Sequence, residues 1–411
     1  MSNHVDRRRF VLGLLATPLA LRAVAAQQQK FRLPAWTPGC MDIHHIATGR
    51  GSATLVIMPD GTSMLIDAGA TNNTLDVSAA PKPSARRRPG QWVGRYVQRH
   101  LLPTGRKTLD YLLVTHIHPD HLGDVDASSP ASAQGDYRLS GVTDVAEMLA
   151  VGKVIDRGSP SYDFPARPAG RYAENYFAFV KSRLQRGLAV ERILPGSASQ
   201  LTMRATSPLF GIRVIAANGE VWTGVGDTAK SMFPPLDTLA KPDYPNENVC
   251  SIALKLSLGK FSYFTGGDLT SYTFDGELPW LDVLGAAARV AGPVSVATAD
   301  HHGMFDGLSA EVVRSLRPQA WVIPSWHISH PDMLQMERML SRRLYPGPRE
   351  IYATSVMTGN QLANRRLTDQ MLSRDGHIVV RVQPDGAAYT IYVTDSNDEN
   401  DTIKSESRHP T

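Results

Sequence analysis

The sequence predicts an α+β fold in which two β-sheets pack together with helices on their outer faces. Two observations carry this prediction: strands come first in pairs joined by turns, and from about residue 250 onwards strands alternate with helices. The chain has 411 residues, enough for one large domain or two modest ones with a real core. Its 33 glycines and 28 prolines indicate a chain rich in loops.

The first strands lie between residues 41 and 69. Residues 53–58 are apolar and largely β-branched, 59–62 have the composition of a hairpin turn, and 64–66 form the returning strand. That strand ends at Asp67. We therefore expect an antiparallel pair at the start of the fold.

A polar segment over 71–90 follows, with three consecutive arginines, Arg86, Arg87 and Arg88. Their charges suit an anionic substrate, but a solvated loop explains them better. Helical periodicity then predicts a helix over 91–102, and the apolar run 109–114 predicts a buried strand.

The stretch 125–245 has the weakest pattern. It predicts one helix over 171–185 and one strand over 212–215, separated by loops. Beyond it the predicted strands are 251–256, 261–265, 294–298, 320–324, 351–354, 378–382 and 389–393, and the predicted helices are 308–316 and 333–342. The polar tail 396–411 is expected to fray.

Residues 1–25 have the features of an export signal. A basic start containing Arg7 and Arg8 precedes the apolar run 11–21 and a small-x-small cleavage pattern at 23–25. The paired arginines resemble a twin-arginine signal and indicate a periplasmic or secreted protein. The apolar run is shorter than the roughly 20 residues that a membrane span needs, so an uncleaved anchor is the minor alternative.

Charge and cysteine content bear on nucleic-acid binding and on disulfide formation. The chain carries +4 overall, but residues 1–25 hold four arginines and one aspartate, so the rest is near +1. This charge gives no support for nucleic-acid binding. The two cysteines, Cys40 and Cys250, are predicted to be buried thiols on strands, although export would permit a disulfide.

The predicted strand 109–114 leads directly into four potential metal ligands, His116, His118, Asp120 and His121. In an extended segment the first two imidazoles point to the same side, because side chains alternate. Imidazole and carboxylate together suit zinc, with manganese as an alternative. A cluster of this kind is hard to explain by packing, so we predict a site for one or two divalent ions.

The order Thr-His-x-His-x-Asp-His over 115–121 resembles the signature of the metallo-β-lactamase superfamily. The resemblance implies a four-layer αββα sandwich over residues 26–395, with an insertion at about 125–245 between the main metal motif and a bridging aspartate. It also implies roles for residues far from the motif, which are Asp67 as a partner of a ligand, Asp268 as the bridging aspartate, and His301 or His302 as the last ligand.

Within this superfamily, the chain resembles the hydrolase domain of competence-type DNA-uptake proteins. The features that carry this resemblance are residues 41–52, Asn248, residues 265–268, the His301-His302 pair and His330. Like that subgroup, the chain has no histidine from 122 to 300, so one site is expected to have only His116, His118 and Asp268. Water or a side chain such as Asn248, His327 or His330 would complete it.

The resemblance implies a hydrolase in which metal ions lower the pKa of a water molecule held by Asp120 and Asp268. His330 is a candidate general acid, although packing explains it equally well. A phosphoester or phosphodiester, on a small molecule or a phosphorylated component, is the expected substrate. The alternatives are hydrolysis of a lactone, ester or β-lactam, and a non-catalytic binding protein.

Overall fold

The computed structural model describes residues 32–72 and 76–411. The predicted export signal at 1–25 lies outside the described residues. Among the residues described, no helix has the length and apolar character needed to cross a membrane.

The strands, in chain order, are β1 (Met41–His45), β2 (Thr54–Ile57), β3 (Ser63–Ile66), β4 (Thr108–Val114), β5 (Ala150–Asp156), β6 (Ala189–Arg192), β7 (Phe210–Ala217), β8 (Glu220–Trp222), β9 (Ala229–Ser231), β10 (Ala253–Leu258), β11 (Phe261–Thr265), β12 (Val296–Thr298), β13 (Ala320–Ile323), β14 (Glu350–Ala353), β15 (His377–Val382), β16 (Ala388–Thr394) and β17 (Ile403–Pro410). The α-helices are α1 (Pro89–Leu101), α2 (Pro119–Leu122), α3 (Gly141–Met148), α4 (Arg171–Gln185), α5 (Val283–Ala291), α6 (Ala310–Leu316), α7 (Met333–Leu340), α8 (Thr358–Ala363) and α9 (Arg365–Thr368). Short 3-10 helices that matter for the site are Asn248–Cys250 and His301–Gly303.

Two sheets form the middle of the molecule. The first has nine strands in the order β17-β16-β15-β1-β2-β3-β4-β5-β6, and the second has eight in the order β14-β13-β12-β11-β10-β7-β8-β9. Apolar side chains from both sheets, such as Val56, Leu254 and Tyr263, form a buried layer between them. The prediction of two packed sheets is confirmed.

Helices cover the outer face of each sheet and complete four layers. Side chains of α1, α3 and α4 pack with the outer face of the first sheet, as Val97, Val145 and Phe179 show. Helices α5, α6 and α7 pack with the second sheet in the same way. The αββα order expected from the resemblance is therefore confirmed.

Parallel strands bring the candidate ligands to one edge of the sandwich. Strands β3 to β6 are parallel neighbours in the first sheet, and β11 to β14 are parallel neighbours in the second. The segments that follow β3, β4, β11, β12 and β13 leave their sheets at carboxyl ends, which is where open α/β sheets place their ligands. Asp67, residues 115–121, Asp268 and the His301-His302 pair all belong to these segments.

The element predictions before residue 115 and after residue 250 are confirmed to within two residues at their ends. In the stretch 125–245, helix 171–185 is confirmed, and the predicted strand 212–215 lies inside the longer β7. This stretch also supplies α3 and four further strands, of which β5 and β6 belong to the first sheet and β8 and β9 to the second.

Two expectations need correction. The tail does not fray, since residues 403–410 form β17, which pairs antiparallel with β16 along its length. The cysteines are free and buried as predicted, but neither lies on a strand: Cys40 precedes β1, and Cys250 ends a 3-10 helix.

Candidate metal centre

The loop that carries the main motif is held close to the turns beside it. The backbone N–H of Ser52 donates to the carbonyl oxygen of Asp120 at 2.8 Å. A Cβ atom on Gly51 or Gly69 would lie 2.2 or 1.9 Å from that same oxygen. Only glycine permits such an approach at either position. The loop therefore has little freedom to move its ligands.

Asp67 fixes the motif from the end of β3. Its Oδ1 accepts the backbone N–H of Thr115 at 2.8 Å, and its Oδ2 accepts the Thr115 hydroxyl at 2.7 Å. The same Oδ2 lies 2.7 Å from Nδ1 of His121. With the proton on Nδ1, the lone pair of the His121 ring is on Nε2, which is then the atom that can bind a metal ion. This Nε2 lies 3.0 Å from Oδ1 of Asp268.

One group of potential ligands consists of Asp120, His121, Asp268 and His302, whose ligand atoms all lie within 4.8 Å of one another. Nε2 of His302 lies 3.0 Å from Oδ2 of Asp120 and 3.5 Å from Oδ2 of Asp268. Nδ1 of His302 donates to the carbonyl oxygen of Pro324 at 2.8 Å. That bond directs Nε2 towards the two carboxylates.

A second group consists of His116, His118 and Asp268. Nε2 of His116 lies 3.0 Å from Nδ1 of His118 and 3.7 Å from Oδ2 of Asp268. Burial, reinforced by the charge of His121, holds the pKa of His116 well below its ordinary value. A neutral imidazole is the form that binds a metal ion. Asp268 is the residue that the two groups share.

His301 lies beside the second group without belonging to it. Its Nδ1 is 2.6 Å from Oδ1 of Asp306, and its Nε2 is 3.9 Å from Oδ2 of Asp268. Nε2 also lies 3.3 Å from Nδ2 of Asn248, whose Oδ1 is buried without a hydrogen-bond partner among the described residues. Of the two adjacent histidines, His302 is therefore the one that joins a ligand group.

Polar side chains from other segments bind the backbone of the loop at 115–121 and of the segment that carries Asp268. Glu247 accepts the backbone N–H of Ile117 at 2.8 Å and forms a two-bonded ion pair with Arg157, whose side chain is fully buried. The backbone N–H of Asp268 donates to the hydroxyl of Ser251 at 3.2 Å. The backbone of both ligand segments is thus held by side chains from other parts of the chain.

The carboxylates change the proton affinity of the buried imidazoles. Burial alone would lower the pKa of His302, but Asp268 and Asp120 outweigh it and raise the pKa to about 10. Burial opposes the same change at His121, yet Asp268, Asp67 and Asp120 raise its pKa well above the ordinary value. The site therefore favours a positive charge near Nε2 of both histidines.

The donor set fits a divalent metal ion. Imidazole nitrogens and carboxylate oxygens are the atoms that zinc prefers in sites of mixed type, and manganese accepts them as well. Histidines whose second nitrogen is held by a carboxylate or a carbonyl are typical of metal ligands. His121, His301 and His302 all have this arrangement.

His330 and His327 lie at the edge of the centre. The ring of His330 is buried and stacked on that of His302, with centroids 4.7 Å apart and planes at 12°. Its Nδ1 accepts the backbone N–H of His327 at 3.3 Å. Nδ1 of His327 lies 2.8 Å from the hydroxyl of Ser329. His330 therefore packs against the candidate metal ligand His302. Its predicted role as a general acid stays a prediction.

The three arginines of the exposed loop do not act as one group. Arg88 pairs with the buried Asp144 of α3, and Arg87 lies over the ring of Trp92. Arg86 is exposed, and its backbone N–H and Nε donate to the hydroxyl of Ser84. The exposure of Arg86 and Arg87 agrees with a solvated loop, whereas Arg88 is partly buried in its ion pair.

Sequence reasoning missed several residues that support the centre, namely Thr115 as a bonding partner, Arg157, Glu247, Ser251 and Asp306. Thr115 opens the motif at 115–121 and Ser251 opens a predicted strand, so the sequence marked both positions without assigning a role to either hydroxyl. The others are single polar residues in segments without a pattern, and only the fold brings them to the ligands.

Comparison with known proteins supports this architecture. Residues 47–166 match the family model described as the metallo-beta-lactamase superfamily. That segment includes Asp67 and the motif at 116–121, and together with the two sheets it identifies the metallo-β-lactamase fold. No curated protein matches the chain in sequence.

Several solved structures are similar to the chain. A mutant of the CmlA beta-hydroxylase is 13% identical with a TM-score of 0.39, covering 90% of this chain and 60% of its own. The metallo-beta-lactamase fold protein YhfI from Bacillus subtilis is 11% identical with a TM-score of 0.34, covering 76% of this chain and 95% of its own. The short form of human tRNase Z is 11% identical with a TM-score of 0.30, covering 68% of this chain and 92% of its own. This chain thus spans about three fifths of the length of the hydroxylase.

Proposed function

We propose that this chain, whose residues 47–166 match the model of the metallo-β-lactamase superfamily, is a metal-dependent hydrolase of phosphoesters or phosphodiesters. One observation carries the proposal: Asp268 is shared by two groups of ligands, so the same carboxylate would help to hold an ion at either group. Two adjacent cations suit phosphoryl transfer, because they stabilise both the attacking and the leaving oxygen. Zinc is the ion we propose first, with manganese second.

When bound, divalent ions supply Lewis acidity and lower the pKa of water to near 7. The chain's own part is to hold the reacting groups in place. Asp120 and Asp268 present carboxylate oxygens on the side of the site where His302 and His121 converge. These oxygens orient a water molecule towards the substrate and accept its proton.

His301 is placed to act near the second group. Its Nδ1 is engaged by Asp306, so the ring lone pair is on Nε2, which accepts from Nδ2 of Asn248 at 3.3 Å and lies 3.9 Å from Oδ2 of Asp268. We propose that Nε2 completes the His116–His118 group, which has only three protein ligands in its closest set. Nδ2 of Asn248 contacts the same Nε2, so this hydrogen bond would give way to a bound ion.

Hydrolysis of three substrates tests the function. We expect the metal-loaded protein to hydrolyse bis-p-nitrophenyl phosphate in preference to a lactone and a chromogenic cephalosporin. His118→Ala should abolish turnover and leave the circular dichroism spectrum unchanged. His409→Ala, which changes a histidine in β17, serves as the matched control and should retain activity. Lactone turnover without phosphodiester turnover would support the carbonyl-directed alternative.

We also propose that the protein is exported through a twin-arginine route, which accepts folded proteins and would allow the metal to bind before transport. The proposal rests on the sequence of residues 6–25. Replacing Arg7 and Arg8 by lysine should leave the protein in the cytoplasm. Normal periplasmic levels of that variant would contradict the route.

A further inference from the structure

Three aromatic side chains cluster on the surface near the candidate metal centre. Tyr272, Phe274 and Phe305 are 38%, 48% and 53% exposed. The ring of Tyr272 lies 4.8 Å from that of Phe274 and 5.7 Å from that of Phe305, centroid to centroid. In the part of the chain that the structure describes, only one other large aromatic side chain, Phe164, is comparably exposed. Scattered exposure is ordinary for such residues, but a cluster is not.

The cluster is joined to the metal centre by short connections. Phe305 precedes Asp306, whose carboxylate lies 2.6 Å from His301. Tyr272 follows Asp268 by four residues, a separation that the chain spans in at most about 14 Å. The two segments are also bonded to each other, since the backbone N–H of Ser271 donates to the carbonyl oxygen of Asp306 at 3.0 Å.

The backbone holds Phe274 in an unusual conformation. Its φ is 51°, and that of Asp275 is 55°, so two consecutive residues other than glycine are left-handed. For a bulky residue this is an outlier that the surroundings must enforce. The carbonyl oxygens of Thr273 and Phe274 accept backbone N–H groups of residues 276–278 at 3.0 to 3.1 Å, which closes the turn. The exposed ring is therefore presented by a defined turn.

We propose that Tyr272, Phe274 and Phe305 form a platform that stacks on a planar ring of the substrate while the phosphoryl group lies at Asp268. This proposal rests on the proposed function and names its substrate class, a phosphoester that carries an aryl group or a nucleobase. Rings stack well on aromatic side chains whatever their substituents. Tyr272 lies at most about 14 Å from Asp268, and Phe305 precedes the Asp306 that binds His301, so we expect one substrate to contact both the platform and the centre.

Charges near the platform favour a small substrate over a polynucleotide. Asp275 and Glu277 are exposed beside Phe274, and Asp306 lies next to Phe305. A polynucleotide adds negative phosphates on each side of the stacked ring, and these carboxylates would repel them. A single nucleoside or aryl phosphoester places its one phosphoryl group at the metal centre instead.

Binding of three monoesters to the zinc-loaded full chain tests the platform by calorimetry, without any need for turnover. Methyl phosphate reports on the phosphoryl site alone, and phenyl phosphate and thymidine 5′-monophosphate add an aryl ring or a nucleobase. We expect at least one ring-bearing ester to bind about tenfold more tightly than methyl phosphate. The ester with the larger gain in affinity shows whether the platform prefers an aryl ring or a nucleobase.

Matched variants complete the test. Tyr272→Ala combined with Phe305→Ala should remove the tenfold gain and leave methyl phosphate binding unchanged. Leu362→Ala removes an apolar side chain that is 73% exposed elsewhere, and it should change neither value. Equal loss for all three esters, or a variant that alters only the oligomeric state in light scattering, would overturn the platform. If methyl phosphate itself fails to bind, the proposed phosphoesterase function fails first.

Discussion

At the scale of single residues, the centre depends on side chains that orient the ligands. Asp67 shows this most clearly, because one carboxylate accepts bonds from the backbone and hydroxyl of Thr115 and contacts Nδ1 of His121. An outer carboxylate of this kind typically accounts for 10- to 100-fold in metal affinity. The orientation of the His121 ring is therefore set by a residue that belongs to neither group of ligands.

Replacing Asp67 by asparagine should weaken metal binding about 10- to 100-fold. The amide has one acceptor oxygen and cannot accept all three bonds, because its NH2 group would face either the N–H of Thr115 or the Nδ1–H of His121. Competition with a chromophoric chelator measures the affinity. Asp60→Asn, which changes a turn carboxylate that bonds Thr62, is the control. Equal affinity in the two variants would contradict this role for Asp67.

The sequence was informative for residues that occur in a dense pattern. His116, His118, Asp120 and His121 lie within six positions, so their chemistry is visible without a structure. Asp306 and Glu247 carry no such signal, because each is a lone acidic residue in a loop. Their partners, His301 and Arg157, are 5 and 90 positions away.

At the scale of elements, the buried polar layer beneath α1 connects the first sheet to the tail. His100 lies 3.4 Å from Asp401, and Arg99 binds the same aspartate, so α1 holds the segment before β17. His377 accepts the backbone N–H of Ala47 at 3.0 Å. Burial, the largest effect, lowers the pKa of His100 to about 4 and that of His377 to about 3.

These lowered pKa values predict loss of stability in acid. Because the pKa of His377 is lower in the folded than in the unfolded chain, its protonation favours unfolding, and stability is lost as the pH falls below about 6.5. Between pH 7 and 4.5 the metal-free protein should lose about 2 to 3 kcal/mol more than metal-free His377→Gln. Urea unfolding at both pH values measures this difference. Equal losses would show that His377 does not couple folding to pH.

Helices and strands were predicted correctly where apolar and polar residues alternate with a regular period. They were missed where the position of the element in the fold leaves its sequence without such alternation. Strand β17 is an edge strand whose residues are mostly exposed, with Lys404, Glu406 and Arg408 alternating along it. Such charges protect an edge from aggregation, and they also make the strand look like a polar tail. Helix α5 was missed for the opposite reason, since seven of its nine residues are buried and it therefore lacks a polar face.

At the scale of the whole molecule, the centre forms where the two sheets meet. The first sheet supplies Asp67 and the motif at 116–121, and the second supplies Asp268 and His302. Neither half holds a complete set of ligands. The sequence could suggest this pairing only through resemblance, because about 150 residues separate the motif from Asp268.

Metal content is the measurement that tests the central claim most directly. Mass spectrometry of the reconstituted protein should find one or two divalent ions per chain. Asp268→Ala removes the carboxylate that both groups share, and it should lose bound metal and hydrolysis together while its circular dichroism spectrum stays unchanged. A wild-type protein that binds no metal after reconstitution, yet still hydrolyses bis-p-nitrophenyl phosphate, would contradict the account.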